Sequence, residues 1–137
     1  MQAAKAKASP VRIPSGGVLL NGDLHVPAGA QGVVLFAHGS GSSRLSPRNR
    51  FVAGIINRSG LGTLLFDLLT REEEEIDIHT RHLRFDIDML ARRLTDAAKW
   101  TFEQEETRDM NVGIFGASTG AAAALMTAAE FGSRISA

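Results

Sequence analysis

Two kinds of apolar pattern run along the chain. From Val18 to Val26 apolar and polar residues alternate, which predicts a strand with one solvated face. A shorter extended piece, Val11–Ile13, precedes it across a Ser-Gly-Gly turn, so the two predict an antiparallel hairpin at a sheet edge. Val33–Ala37, Leu64–Phe66 and Val112–Phe115 are continuously apolar instead. Such runs are typical of strands covered on both faces of a parallel sheet.

Helical patterns separate these strands. Ser46 and Pro47 predict the start of a helix that stops at Gly60. Its predicted apolar face consists of Phe51, Val52, Ile55 and Ile56. A second helix is predicted from about His82 to Phe102, and a third, apolar nearly all round and therefore buried, from Thr119 to Phe131. This order predicts a doubly wound α/β fold whose mostly parallel sheet carries an N-terminal antiparallel hairpin.

The segment Asp67–His82 is long and acidic, with four consecutive glutamates, Glu72–Glu75. It is interpreted as a solvated surface loop, or alternatively as a mobile flap over the C-terminal edge of the sheet. The glutamates lack a defined ligand spacing, so no metal site is predicted. Arg71, Arg81 and Arg84 either pair with these glutamates or bind an acidic group of a substrate.

Composition narrows the classes of function. With 15 basic and 15 acidic residues the net charge is zero, so no nucleic-acid or membrane partner is predicted. There is no cysteine, which excludes disulfides, thiolate metal sites and a cysteine nucleophile. No apolar run approaches the ~20 residues of a membrane span. Residues 1–10 lack the apolar segment of a secretory signal and are predicted to be a flexible arm, and the protein is expected to be cytoplasmic.

The motif Gly116-Ala117-Ser118-Thr119-Gly120 has the pattern G-x-S-x-G. It directly follows an apolar strand and directly opens an apolar helix, which is the context of a nucleophile elbow with Ser118 as the nucleophile. Gly116 and Gly120 would let strand and helix approach closely. The alternative is a plain turn in which Ser118 only caps the helix.

A Gly/Ser loop, His38–Ser43, follows the strand Val33–Ala37. In hydrolases with such an elbow, this loop and the residue after the nucleophile each donate one backbone N–H to the oxyanion hole. Those donors would be Ser40 and Thr119, with His38 and Gly39 ordering the loop. A flexible turn or a phosphate cradle is the alternative, although the lysine of a P-loop is missing.

The hairpin that ends at Asp23–Pro27, followed by VVLFAHGSGSS, TLLFDLL and NVGIFGASTGAAAAL, resembles the α/β-hydrolase superfamily, close to its dienelactone hydrolase-like branch. The resemblance extends from Val11 to Ala137. It implies a Ser–His–acid triad on Ser118 that hydrolyses an ester, lactone or related acyl bond of a small molecule through an acyl-enzyme, without a cofactor. Some relatives in that branch are fused to phosphoribosyltransferase domains, and no such domain is visible here.

The chain departs from this family after the elbow. The triad acid and histidine of this fold follow the nucleophile, but the residues after Gly120 include Glu130 and neither Asp nor His. The four histidines, His25, His38, His79 and His82, all precede Ser118. Residues 11–137 are therefore expected to be the N-terminal part of one longer hydrolase domain, inactive alone. Ser133–Ala137 would lead into a further strand, and the open sheet edge would permit self-association.

Two other functions stay open. A non-catalytic binding or interaction module could keep the hydrolase scaffold. A dinucleotide-binding domain is disfavoured, because the spacing of Gly113, Gly116 and Gly120 only faintly matches the fingerprint and no acidic residue follows ~20 positions later. Asp67, at the end of its strand, would either shape the site or cap a loop.

Overall fold

The computed structural model describes residues 8–39, 41–81 and 86–137. These described residues form five strands, which make up one mixed sheet, and four α-helices. Helices lie on both faces of the sheet. The elements are β1 Ser9–Ser15, β2 Val18–His25, β3 Gly32–Ala37, α1 Pro47–Arg58, β4 Gly62–Phe66, α2 Arg71–Thr80, α3 Ile87–Glu103, β5 Asn111–Gly116 and α4 Thr119–Phe131. The predicted α/β fold class is confirmed. None of the helices in the described ranges is long and apolar enough to cross a bilayer.

The strand order is β1-β2-β4-β3-β5. β2 pairs antiparallel with β1 and β4, and β3 pairs in parallel with β4 and β5. The predicted hairpin and parallel strands are thus confirmed. The predicted arm, residues 1–10, extended two residues too far, because Ser9 and Pro10 already pair with β2 as the first residues of β1. Residues 1–7 of that arm lie outside the described residues.

Two cores lie on opposite faces of the sheet. The larger one packs α3 and α4 against the strands and includes the fully buried Leu35, Leu64 and Leu94. The smaller one joins Phe36 and Leu65 to α1. Since the side chains of a strand alternate between faces, Leu35 and Phe36 serve different cores.

Helix α1 begins as predicted: the Ser46 side chain accepts a hydrogen bond from the Asn49 N–H, and Pro47 occupies the first turn. Its predicted apolar face is wrong in part. Phe51 is 67% exposed and Ile55 47% exposed, whereas Ala53 is buried. The helix packs on the sheet through the small Ala53. Because an α-helix has 3.6 residues per turn, Phe51 and Ile55, each two positions from Ala53, point to nearly the opposite side.

Helix α3 starts later than predicted. Asp86 is its N-cap and accepts a hydrogen bond from the Met89 N–H, so the helix begins at Ile87. The residues 82–85 of the predicted span lie outside the described residues. The predicted apolar spacing is confirmed for Leu90 and Leu94, both buried.

The acidic segment is a helix, not the predicted loop. Thr70 and Glu73 form a capping box: the Thr70 hydroxyl accepts from the Glu73 N–H at 3.2 Å, and the Glu73 carboxylate accepts from the Thr70 N–H at 2.9 Å. Glutamates in the first turn of α2 also complement the positive end of the helix dipole. The same acidic residues that suggested a solvated loop therefore start a helix.

Helix α4 has the predicted bounds but is not buried all round. Gly120, Ala123 and Thr127 are buried, whereas Leu125 is 74% exposed. The helix contacts its neighbours along this line of small residues, with the Thr127 hydroxyl 3.2 Å from that of Thr95 in α3. No other described element covers the side that carries Leu125.

The last residues pair with the sheet, as the predicted turn into a further strand requires. A 3₁₀ turn over Gly132–Arg134 follows α4. Ile135 then forms a parallel bridge with Val112, and the Ser136 N–H donates to the Val112 carbonyl at 2.7 Å. β5 is therefore partly paired on its outer side.

Candidate active site

The turn between β5 and α4 holds Ser118 in a backbone conformation that non-glycine residues rarely adopt. Its φ is 57° and its ψ is −127°, a combination that costs free energy for a residue with a Cβ. The Ser118 side chain makes no capping hydrogen bond to α4. The alternative in which Ser118 only caps the helix is therefore wrong.

Two glycines allow this turn. A Cβ on Gly116 would lie 2.7 Å from the Gly120 carbonyl oxygen and 2.8 Å from the Ala121 Cα. A Cβ on Gly120 would lie 2.6 Å from the His38 carbonyl oxygen and closer still to that of Ala37. These are backbone atoms, so they cannot rotate away as a side chain would. The G-x-S-x-G spacing is thus required by the approach of α4 to the ends of β3 and β5.

The loop after β3 lies against this turn. A Cβ added to Gly39 would lie 3.1 Å from the Ser118 Cβ, so the loop and the elbow are in contact. The Ser42 N–H donates to the Gly39 carbonyl at 3.1 Å, which closes the loop. Ser40, the predicted oxyanion donor of this loop, lies outside the described residues. Thr119, the other predicted donor, lines the cavity beside the loop.

His38 connects this loop with the end of β4. It is buried, and its Nε2 accepts a hydrogen bond from the Leu68 N–H at 2.9 Å while Nδ1 lies 2.9 Å from the Gly39 carbonyl oxygen. The neutral tautomer with a proton on Nδ1 satisfies both contacts. Burial lowers the pKa of His38, although the Gly39 carbonyl opposes this shift. These contacts agree with the predicted ordering role, and they occupy the Nε2 lone pair.

Asp67 caps the same loop. Its carboxylate accepts hydrogen bonds from the Arg44 N–H at 2.8 Å and from the Arg44 guanidinium at 2.7 Å. Arg44 Nε also lies 3.3 Å from an Asp23 carboxylate oxygen. Of the two interpretations of Asp67, loop capping is the one that its contacts show.

A cavity of about 230 Å³ lies beside the elbow. Its lining residues are His38, Gly39, Gly41, Ser42, Leu68, Leu69, Glu74, Asp77, Ile78, Leu90 and Thr119. One wall belongs to α2, so the acidic segment does lie over this edge of the sheet. The apolar side chains of this lining suit the hydrocarbon part of a small molecule.

An ion pair that the sequence interpretation missed holds α2 in place. The Arg93 guanidinium binds both carboxylate oxygens of Glu73, at 2.5 and 2.7 Å, and also donates to the Leu68 carbonyl at 2.9 Å. The hydrogen bond from Arg93 lowers the pKa of Glu73. Glu73 thus pairs with an arginine of α3 that the sequence interpretation did not consider, and Arg84 lies outside the described residues. The sequence signal that could have revealed this ion pair is the position of Arg93, a charged residue on the otherwise apolar face of α3.

This fold recurs in a solved structure. The chain is 55% identical to a dienelactone hydrolase from Anabaena variabilis, with a TM-score of 0.95 over 97% of this chain and 62% of that one. The chain has the α/β-hydrolase fold. An esterase from Pyrococcus furiosus has the same fold, with 21% identity and a TM-score of 0.75. The match covers 95% of this chain and 49% of the esterase chain. No family model matches the sequence.

A longer relative carries a different name. A protein of Mycobacterium tuberculosis, provisionally named a phosphoribosyl transferase, is 52% identical over 120 residues. The match covers 88% of this chain but only 26% of that protein. The chain thus spans less than two thirds of the length of both the Anabaena and the mycobacterial relative. Most of the mycobacterial protein lies outside the match.

The other described histidines lie apart from Ser118 in the fold. His25 is half-buried in β2 and lines a separate cavity between the hairpin and α1. His79 is exposed on α2, and His82 lies outside the described residues. Of the described histidines, only His38 lines the cavity beside Ser118. Among the residues that the structure describes, no cluster of three or more His, Asp or Glu could hold a metal ion.

The space around two glycines predicts opposite effects for the same substitution. Gly120→Ala should lower the free energy of unfolding by at least about 2 kcal/mol, because the new Cβ meets rigid backbone. Gly54→Ala in α1 should raise it by up to about 1 kcal/mol, because its Cβ meets only the end of the Arg58 side chain at 3.5 Å. Urea unfolding measures both, and equal effects would contradict the close approach at Gly120.

The buried, neutral His38 predicts a pH dependence of stability. A histidine with a lowered pKa in the folded state binds its proton more readily when unfolded, so the free energy of unfolding falls as pH drops through the histidine range. The slope from this group is at most about 1.4 kcal/mol per pH unit. His38→Gln should reduce the slope, because it removes the titrating group with the lowered pKa. An unchanged slope in His38→Gln would show that His38 is not buried in its neutral form.

Proposed function

We propose that this chain carries the nucleophile of a serine hydrolase that cleaves an ester, lactone or related acyl bond. The observation that carries the proposal is Ser118, held at a φ of 57° without a helix-capping bond, beside a cavity lined with apolar side chains. Such strain is retained where the surrounding structure requires it, and it is common at reacting residues. The 55% identity to the Anabaena dienelactone hydrolase supports the same class of reaction.

In the proposed reaction, the Ser118 Oγ attacks the acyl carbonyl carbon and loses its proton to a general base. The carbonyl π electrons move to the oxygen, which the backbone N–H groups of Thr119 and Ser40 would stabilise. Collapse of the tetrahedral intermediate expels the alcohol, which takes up the proton, and leaves an acyl-enzyme. Water then attacks the acyl-enzyme, releases the acid and restores Ser118.

The general base is the part of this scheme that the described residues do not provide. The Nε2 of His38 already accepts a hydrogen bond from Leu68, so His38 cannot take a proton from Ser118 without breaking that contact. We therefore propose that the triad histidine and acid lie outside this chain and that the chain alone is inactive. The same observation favours the second candidate, a non-catalytic binding module on the hydrolase scaffold.

The name of the mycobacterial relative is not carried over to this chain. The match covers only 26% of that protein, so the larger part of its length, and with it any transferase site there, has no counterpart in the alignment. The matching part contains the elbow described above.

Reaction with a fluorophosphonate probe tests the hydrolase proposal. The chain is fused to the part of the Anabaena enzyme that the match leaves out, which would supply the acid and the base. We expect the fusion to be labelled at Ser118 and to hydrolyse an activated ester. Ser118→Ala should abolish both, whereas Ser133→Ala, at an exposed serine, should change neither.

Two outcomes separate the candidates. Labelling of the fusion but not of the isolated chain supports a hydrolase whose base lies elsewhere. A well-folded fusion that binds acyl compounds but is neither labelled nor active contradicts the hydrolase proposal and favours the binding module.

A further inference from the structure

Arg93 is a buried charge that the proposed reaction does not use. Its side chain is only 11% exposed and does not line the cavity beside Ser118. The guanidinium binds the Glu73 carboxylate and also donates to the Leu68 carbonyl. A buried ion pair is often no more stabilising than apolar residues of similar size. The hydrogen bond to Leu68 is therefore the contact that an apolar pair would not supply.

Leu68 links this contact with His38. Leu68 is fully buried, its carbonyl accepts from Arg93 at 2.9 Å, and its N–H donates to the His38 Nε2 at 2.9 Å. Only two soft dihedral angles separate the N–H and the carbonyl of one residue, so an anchored carbonyl restricts where the N–H points. Arg93 therefore holds the donor that His38 binds.

The Leu68 N–H determines which hydrogen bond His38 makes at its other nitrogen. In a neutral histidine the protonated nitrogen is set by the hydrogen bond that the other nitrogen makes. With a donor on Nε2, the proton lies on Nδ1, 2.9 Å from the Gly39 carbonyl oxygen. Burial lowers the pKa of His38 and keeps the ring neutral, although the Gly39 carbonyl and the Asp67 and Glu74 carboxylates oppose this shift.

The Gly39 carbonyl is the end of this series of hydrogen bonds. It accepts from His38 and also from the Ser42 N–H at 3.1 Å, so two donors fix its direction. A Cβ on Gly39 would lie 3.1 Å from the Ser118 Cβ, so this residue packs against the candidate nucleophile. The contacts of Arg93 thus extend, through two residues, to the loop beside Ser118.

We propose that Arg93 is a positioning residue for the loop after β3: through Leu68 and His38 it fixes the Gly39 carbonyl. Because a peptide group is planar, this carbonyl also orients the N–H of the same peptide, which the proposed function assigns to the oxyanion as the Ser40 donor. A donor held in place before the reaction stabilises the developing charge without reorganisation. The effect on rate rests on the proposed function, whereas the hold on His38 does not.

Two variants separate the bond of Arg93 to Leu68 from its bond to Glu73. Glu73→Gln keeps Arg93 and an oxygen that can accept from it, and glutamine also suits the capping box. The double variant Glu73→Gln/Arg93→Met removes the donor to the Leu68 carbonyl and leaves no unpaired buried charge. Arg92→Met, at the exposed neighbour in α3, is the matched control. The urea unfolding midpoint verifies that each variant is folded.

The first measurement is NMR of the ¹⁵N-labelled chain. We expect the original chain to show a neutral His38 ring protonated at Nδ1 and a slowly exchanging Leu68 amide. In the double variant the ring should show both tautomers, and the Leu68 amide should exchange at least about tenfold faster relative to the amides of β4. A merely structural role would speed all these amides alike. Glu73→Gln and Arg92→Met should resemble the original.

The second measurement uses the fusion with the Anabaena part, with rates divided by the number of sites that the fluorophosphonate probe labels at completion. The double variant should lower kcat at least about tenfold with little change in KM, because an oxyanion donor acts mainly in the transition state. Glu73→Gln should leave kcat nearly unchanged, and Arg92→Met should leave both constants unchanged.

Three results would overturn the proposal. These are an unchanged His38 ring and Leu68 exchange in the folded double variant, equal changes in Glu73→Gln and the double variant, and an unchanged kcat of the double variant in an active fusion. If the double variant does not fold, the original chain decides: its Arg93 guanidinium protons should exchange as slowly as the Leu68 amide, and fast exchange of either contradicts the proposal. An inactive fusion contradicts the proposed function, and the NMR comparison still decides whether Arg93 holds His38.

Discussion

The close approach of the turn after β5 to the end of β3 is the constraint on which the candidate site depends. Gly120 lies so near the Ala37 and His38 carbonyl oxygens that no side chain fits there. This contact fixes where α4 starts, and the short connection from Gly116 then leaves Ser118 in a left-handed conformation. The buried sheet, with β3 paired between β4 and β5, supplies the rigidity that holds the strain.

Hydrogen bonds to the backbone of one residue, Leu68, extend this rigid region to the walls of the cavity. The Leu68 N–H donates to His38, which holds the loop after β3, and the Leu68 carbonyl accepts from Arg93, which holds α2 through Glu73. Both polar groups of a single residue after β4 thus connect the loop and the helix that flank the elbow. Buried networks of this kind are stable only when each member is satisfied, so the loop and α2 are positioned together.

The sequence predicted the features that depend on local pattern. Continuous apolar runs identified β3, β4 and β5, alternation identified β2, and the G-x-S-x-G spacing identified the elbow, because each pattern reflects its own immediate surroundings. The errors came from residues whose role depends on distant partners. Phe51 is exposed because Ala53 determines which side of α1 meets the sheet, and Leu125 is exposed because no described element covers that side of α4.

Charged residues were the hardest to interpret from sequence. Glu73 belonged to a run that resembled a solvated loop, yet its capping box with Thr70 was readable from the Thr-x-x-Glu spacing. Its pairing with Arg93 joins residues twenty positions apart and depends on how α2 packs against α3.

The strained backbone of Ser118 is the central claim, and the stability of Ser118→Gly compared with Ser118→Ala tests it most directly. Glycine adopts a positive φ without steric cost, so the glycine variant should be more stable than the alanine variant by about 1–3 kcal/mol in urea unfolding. At an ordinary helical or extended position the order is reversed, because glycine costs roughly 0.5–1 kcal/mol relative to alanine. A less stable glycine variant would contradict the account of the elbow.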